Sequence, residues 1–353
     1  MINSNDFIFP RNKKIKYNRF SKIISTGSYL PKKEITNQEI IEANDLKITD
    51  SVIRKTVGVK RRREAEKGMT DSDVLIKAAE DCLAKANVKP EQLSKLLVTK
   101  FLGDRILPMT ASMVQRKLGS NCAFHAIDID GGINSFMNAI NLGARYISTS
   151  FEEEPYILIL SGGINRAALS KIDPRIAFLF GDGAGAVLLG KSNNNHFLAS
   201  YEYSNWKHFD YAGSRNLKFN DAVSDDIFEK GNYFLLQDLY TMENWKESKD
   251  FYVEAITHTK NVLLEQSNLE FEEIDLFLLT ENNKSMFDLA LDSLGITNNK
   301  TVSLIENYGN TMSAMLPLLL DHSFSNQIIN KEKKIMLLSY GEGISGGGII
   351  YKV

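Results

Sequence analysis

One order of segments occurs twice along this chain, and any fold it adopts must accommodate both copies. From Asp73 to Lys89 the apolar residues Val74, Ile76, Ala78, Ala79, Leu83, Ala86 and Val88 recur mostly at helical spacing, and Pro90-Glu91 then breaks the pattern. Leu93 to Thr99 follows as a strand, with Leu96, Leu97 and Val98 forming the short continuous apolar run of a buried parallel strand. Much later, Phe251 to Leu264 reads as a helix, Gln266 to Glu273 as a polar break, and Ile274 to Thr280 repeats the apolar run. The echo continues: Tyr156 to Leu160 leads into Ser161-Gly162-Gly163 as Ile335 to Leu338 leads into Ser339-Tyr340-Gly341. Phe180-Gly181-Asp182-Gly183-Ala184-Gly185-Ala186 runs into Val187-Leu188-Leu189, and Tyr340-Gly341-Glu342-Gly343 runs through Gly346-Gly347-Gly348 into Ile349-Ile350. Alternating helices and buried strands are common to all α/β proteins, but four matches in the same order point to duplication.

The predicted organisation is an N-terminal extension, 1–19, followed by two halves, 20–195 and 196–353, each a mostly parallel sheet covered by helices. The loop-rich, aromatic stretch from Asn205 to Asp250 reads as an insertion capping the second half. At 353 residues with a net charge of −2, the composition is that of a soluble globular chain, with no charge excess directed at nucleic acid or a membrane surface. The two cysteines, Cys82 and Cys122, form neither a disulfide framework nor a zinc motif, which fits a reducing cytoplasm. Met1 to Phe20 lacks the apolar core of a signal peptide, and the apolar runs elsewhere are strand-sized, so no membrane span is expected.

The stretch Phe180 to Ala186, with Tyr308-Gly309-Asn310-Thr311 and the C-terminal glycine-rich strand, resembles the ketoacyl-[acyl-carrier-protein] synthase III branch of the thiolase superfamily. Ile23 to Pro31 is similar to that family's first strand and turn, and Val57-Gly58-Val59 with Arg61 to Arg63 to its TGI-x-x-R segment, so the likeness spans nearly the whole chain. The resemblance implies an α/β, duplicated αβαβα five-layer fold with two pseudo-symmetric halves. It also implies a protein that is normally a homodimer and binds acyl-CoA or acyl carrier protein, with no permanently bound cofactor.

Chemistry in that family uses a cysteine at a helix start, where the helix dipole and free N–H groups favour thiolate, together with a histidine and an asparagine that polarise a thioester carbonyl. Here the strand Ala126 to Ile129 and the helix Phe136 to Ile140 frame the cysteine position, which reads Ile133. Isoleucine has no nucleophilic atom, so covalent acyl transfer at that position is excluded. Ser135, two residues on, reads as a helix-packing serine, and Asp130 as a helix-start or interface residue. The histidine position, after Leu276 to Thr280, reads Glu281, which serves the developing enolate only when protonated. Asn310 matches the family asparagine, and it also suits the cap of a helix running from Ser313 to Leu320. His125, His196, His208, His258 and His322 read as ordinary histidines, and Cys122 as a small buried thiol.

Where the family places a tryptophan and an arginine against the CoA adenine, this chain has Val52 and Thr56. Arg175 lies near a family arginine that contacts the nucleotide, about one residue out of register, and is the candidate contact for CoA or phosphopantetheine. Lys60 to Arg63 reads either as a solvated face or as a contact for an acidic carrier protein. These observations favour a non-condensing subunit of fatty-acid, polyketide or related acyl metabolism that pairs with a cysteine-bearing ketosynthase. The alternatives are an acyltransferase without an acyl-cysteine intermediate, with Glu281 as base, and an acyl-chain binding module.

Overall fold

A capping interaction sets the start of the first repeated helix. The Thr70 N–H donates to the Asp73 carboxylate at 2.9 Å, so helix α1 spans Asp71–Ala86, and it ends where Asn87 turns left-handed at φ 53°. The chain then enters the predicted strand, Leu93–Thr99. The computed structural model describes residues 20–105, 107–119, 121, 124–169, 173–206, 242–341 and 345–353. The extension 1–19 and residues 207–241 of the predicted insertion lie outside the described residues, as do Cys122 and His208.

The strands are β1 Ser21–Tyr29, β2 Lys33–Thr36, β3 Arg61–Glu64, β4 Leu93–Thr99, β5 His125–Ile129, β6 Tyr156–Gly163, β7 Gly183–Lys191, β8 Phe197–Ser204, β9 Leu276–Leu279, β10 Lys334–Gly341 and β11 Ser345–Lys352. A five-stranded sheet has the order β1-β7-β6-β4-β5, and a four-stranded sheet the order β8-β11-β10-β9. The two correspond strand for strand. In both, the first two pairings are antiparallel and the third is parallel. The parallel β4–β5 pairing of the first sheet has its counterpart in the second as a single parallel bridge from Phe277 to Thr301.

Both sheets are therefore mixed, where mostly parallel ones were expected. In the second sheet the reason is local: β11 begins at Ser345, soon after β10 ends at Gly341, with Tyr340 opposite Gly346, and a parallel partner needs a far longer crossover. Buried antiparallel strands covered on both faces carry the same continuous apolar runs as parallel ones, so the runs alone do not reveal direction.

The other long helices are α2 Thr110–Leu118, α3 Ser135–Thr149, α4 Met242–Ser267, α5 Lys284–Leu294 and α6 Met315–Ser325. Helices α1 and α2 cover the outer face of the first sheet, and α4 and α5 that of the second. Between the sheets lie α3 and α6, whose Phe136, Ile140, Leu316 and Leu319 pack with Ile159 and Val187 of one sheet and Leu278, Leu337 and Ile349 of the other. This is the five-layer α/β architecture expected. Fully burying one such side chain contributes about 1.5–3 kcal/mol, and the middle layer is buried from both sides. No helix among the described residues is long and apolar enough to cross a membrane.

Candidate active site

The ends of β4, β5, β6, β9 and β10 converge on one region, and the loops that leave them carry the candidate residues. After β5 the chain turns through Gly131 and Gly132, at φ 149° and 55°, into a 3-10 turn, Gly132–Asn134, and then α3. Ile133 sits in that turn, 6% exposed, packed with Leu169, Ile176, Phe180, Met312 and Met315. Opposite it is Gly341 at the end of β10, where an added Cβ would stand 3.2 Å from the Ile133 Cβ. The side chain is thus wedged into an apolar cluster.

Ser135 is fully buried, and its hydroxyl donates back to the Gly132 carbonyl at 2.7 Å, which agrees with a packing role. Asp130 is exposed and pairs with Lys100 at 3.2 Å. It does not start a helix; the neighbouring Asp128 does, accepting from the N–H groups of Thr110 and Ala111 at 2.9 and 2.7 Å.

Glu281 follows β9 and is 2% exposed. The Leu304 N–H donates to its Oε2 at 2.9 Å, and the Ser303 hydroxyl donates to its Oε1. Burial outweighs the lowering by these bonds, by one from the Ile305 backbone and by the charge of Lys284, and leaves the Glu281 carboxyl raised to about 7. Asn310 is 1% exposed, and both ends of its amide are engaged: Oδ1 accepts from the Met312 N–H at 2.7 Å, and Nδ2 donates to the Asn282 carbonyl at 3.2 Å. From one residue before the N-cap Thr311, it satisfies the first N–H of the 3-10 turn Met312–Ala314 that leads into α6, which begins at Met315, two residues later than the helix predicted. The backbone of Asn310 joins the halves, donating to the Leu179 carbonyl and accepting from the Gly181 N–H. Gly181 has to be glycine because a Cβ there would lie 2.0 Å from the Tyr308 carbonyl oxygen.

The site region also contains residues that the sequence reading did not single out. Asp71, at the start of α1, accepts from the N–H groups of Gly103 and Ile164 at 2.7 and 2.8 Å and so ties the loops after β4 and β6 together. Burial raises its carboxyl to about 6. Asp182, fully buried, holds the N–H groups of Ala65 and Arg166. Asn134 Oδ1 and Asn282 Oδ1 are buried and accept no hydrogen bond among the described residues.

The basic run Lys60 to Arg63 is largely structural. Arg62 is fully buried, Arg61 reaches Asn307 and Glu34, and Arg63 lies over the Tyr308 ring. Alternation along β3 was the available signal, since the middle residue of a three-arginine strand faces opposite to its neighbours. Arg175 belongs to the short helix Pro174–Ala177, and its side chain lies outside the described residues. Val52 is exposed, and Thr56 spends its hydroxyl on the Val52 carbonyl. His258 contacts Tyr201, His196 contacts Lys352 and Ser192, and His322 contacts Asn326. Cys82 is buried, which raises its thiol to about 12 and leaves it inert. Among the described residues no group of three or more His, Cys, Asp or Glu could hold a metal ion.

Residues 264–353 match the family description 3-oxoacyl-[acyl-carrier-protein] synthase III C terminal, and residues 127–205 match 3-oxoacyl-[acyl-carrier-protein] synthase III. A β-ketoacyl-[acyl-carrier-protein] synthase III of Streptococcus equi subsp. zooepidemicus is 30% identical over 343 residues, covering 95% of this chain and 99% of its own. The chain belongs to the ketoacyl-[acyl-carrier-protein] synthase III family. Another member, from Natranaerobius thermophilus, is 29% identical over 94% of this chain and 99% of its own. The fold of the family is recovered in the synthase III structures from Aquifex aeolicus and Thermus thermophilus, with TM-scores of 0.82 and 0.81 at 24% and 23% identity. Each covers 94% of this chain, with 100% and 98% of its own length.

Proposed function

We propose that this synthase III relative is a non-condensing subunit of fatty-acid, polyketide or related acyl metabolism, which binds an acyl chain or carrier protein and pairs with a cysteine-bearing ketosynthase. The observation that carries this reading is Ile133, an unreactive side chain wedged at the nucleophile position against Gly341 and Met312. The neighbouring groups support it. Glu281 directs both carboxyl oxygens at residues 303 and 304, and Asn310 spends its amide on Met312 and Asn282, as structural residues do. The unpaired oxygens of Asn134 and Asn282 would accept from amide N–H groups, such as those of a phosphopantetheine arm. Pairing is favoured by the outer position of β5 in its sheet and by Leu107 and Met109, exposed in the loop between β4 and α2.

The test is intact-mass measurement after incubation with acyl-CoA or acyl-loaded carrier protein, beside co-purification with a cysteine-bearing ketosynthase from the same cell. No mass gain and a stable one-to-one complex are expected. A monodisperse homodimer that condenses acyl groups alone would refute the reading.

One observation favours direct acyl transfer instead: a buried carboxyl brought to about 7 suits a general base near neutral pH. On that reading Glu281→Gln abolishes turnover while the fold is kept. Full activity in the variant would remove Glu281 from the chemistry.

A further inference from the structure

We propose that Glu281 is a pH-sensitive clasp on residues 303–308, holding this strap closed when its carboxyl is protonated and loosening it when ionised. The inference goes beyond the non-condensing reading and does not depend on it.

The strap occupies a junction. It runs directly into Gly309 and Asn310, and its Leu304 and Tyr308 form part of the wall of a cavity of about 410 Å³ that is also bounded by Asp81, Lys85, Asp321 and His322. Glu281 grips its first residues, through the Ser303 hydroxyl, the Leu304 N–H and, less closely, the Ile305 backbone. The protonated carboxyl satisfies both partners at once: its carbonyl oxygen accepts from Leu304, and its O–H donates to the Ser303 oxygen. Ionised, it keeps two acceptors but places a full charge in a site that is 2% exposed to water.

The charged groups around the clasp do not neutralise that charge. Lys284, at the start of α5, is the cation that acts on Glu281, but its ammonium is bound by both oxygens of Asp288 at 2.7–2.8 Å. The strap itself contributes Glu306. Across from it, the Lys60 backbone N–H donates to the Glu306 carbonyl, Arg61 donates to Asn307, and Arg63 lies over Tyr308, so the two arginine cations meet the strap at residues 307 and 308. They brace its far end while Glu281 holds its beginning.

An open strap returns Glu281 to water and to its ordinary value of 4.5, against about 7 when closed. Opening should therefore become more favourable as pH rises between those values, by up to about 300-fold. The readout is hydrogen exchange of the amides of Asn307, Tyr308 and Gly309, which bond to Leu304 and Ile305 within the strap. Mass spectrometry from pH 5 to 8, corrected for intrinsic exchange and referenced to β6, should show strap protection falling by tens-fold or more. Glu281→Gln should abolish that fall. Ser303→Ala, which removes a partner from both protonation states but keeps the titrating group and the Leu304 N–H, should keep a pH-dependent fall. Protection that is flat with pH in the unmodified chain, a fall that persists in Glu281→Gln, or a fall that disappears in Ser303→Ala overturns the proposal. Because the readout involves no acyl group, its failure leaves the non-condensing reading untouched.

Discussion

Arg62→Ala is expected to lower the free energy of unfolding by roughly 3–5 kcal/mol, the range for truncating a large, fully buried side chain. The guanidinium is fully buried and donates to the carbonyls of Ile35 and Phe178 at 3.1 and 2.7 Å and to the Asn37 side chain. Burial, aided by the charge of Arg166, brings its pKa down to about 9, so it remains charged at neutral pH. Removing a cation from a dry site relieves desolvation. Against that gain, alanine takes a donor from three acceptors and leaves a void where one of the largest fully buried side chains among the described residues had been, and these losses dominate. Arg62→Lys keeps the charge but cannot span three acceptors with a planar fork, so it should lie between the two. Urea unfolding at pH 7 checks both variants. A loss below about 1 kcal/mol for the alanine variant would show that Arg62 does not hold β3 to the loop before β7.

Glu281→Gln is expected to stabilise the chain above pH 7, by about 3 kcal/mol at most, and to leave it nearly unchanged near pH 4.5. The folded-state carboxyl, at about 7, is raised above the ordinary 4.5, so folding favours the protonated form. The stability that the protonated group supports is complete below 4.5 and is lost as pH rises to about 7, at about 1.4 kcal/mol per pH unit. Glutamine copies the protonated geometry: its amide oxygen accepts from Leu304, and its NH2 donates to the Ser303 oxygen. The difference between variant and parent should therefore grow between pH 4.5 and 7 and then level off. Paired thermal or urea melts across that range measure it. A constant difference would mean that the carboxyl titrates near its ordinary value.

The two predictions bear on different halves of the molecule and were unequally visible in the sequence. Glu281 stands out in the sequence because a motif places it where the family has a histidine, yet its partners Ser303 and Leu304 are 22 and 23 residues away and carry no motif. Arg62 lay inside a run that also resembled a solvated basic face. Only its position on β3, paired with β2 and closed over by Phe178, makes it internal. Strand positions such as Leu93–Thr99 were legible because a continuous apolar run bounded by a capped helix and a polar break has few other solutions. Strand direction was not, because a residue buried on both faces is apolar whichever way its neighbours run.

What the sequence by itself determined is the duplicated α/β architecture and the absence of a nucleophilic atom at Ile133, because repetition of pattern and the identity of one side chain need no geometry to be read. The tertiary structure decided what the surviving polar groups do. A carboxyl or an amide is chemically the same group whether it faces a substrate or holds a turn, and only the placement of the Ser303 hydroxyl and the Leu304 and Met312 N–H groups turns Glu281 and Asn310 toward the protein's own donors.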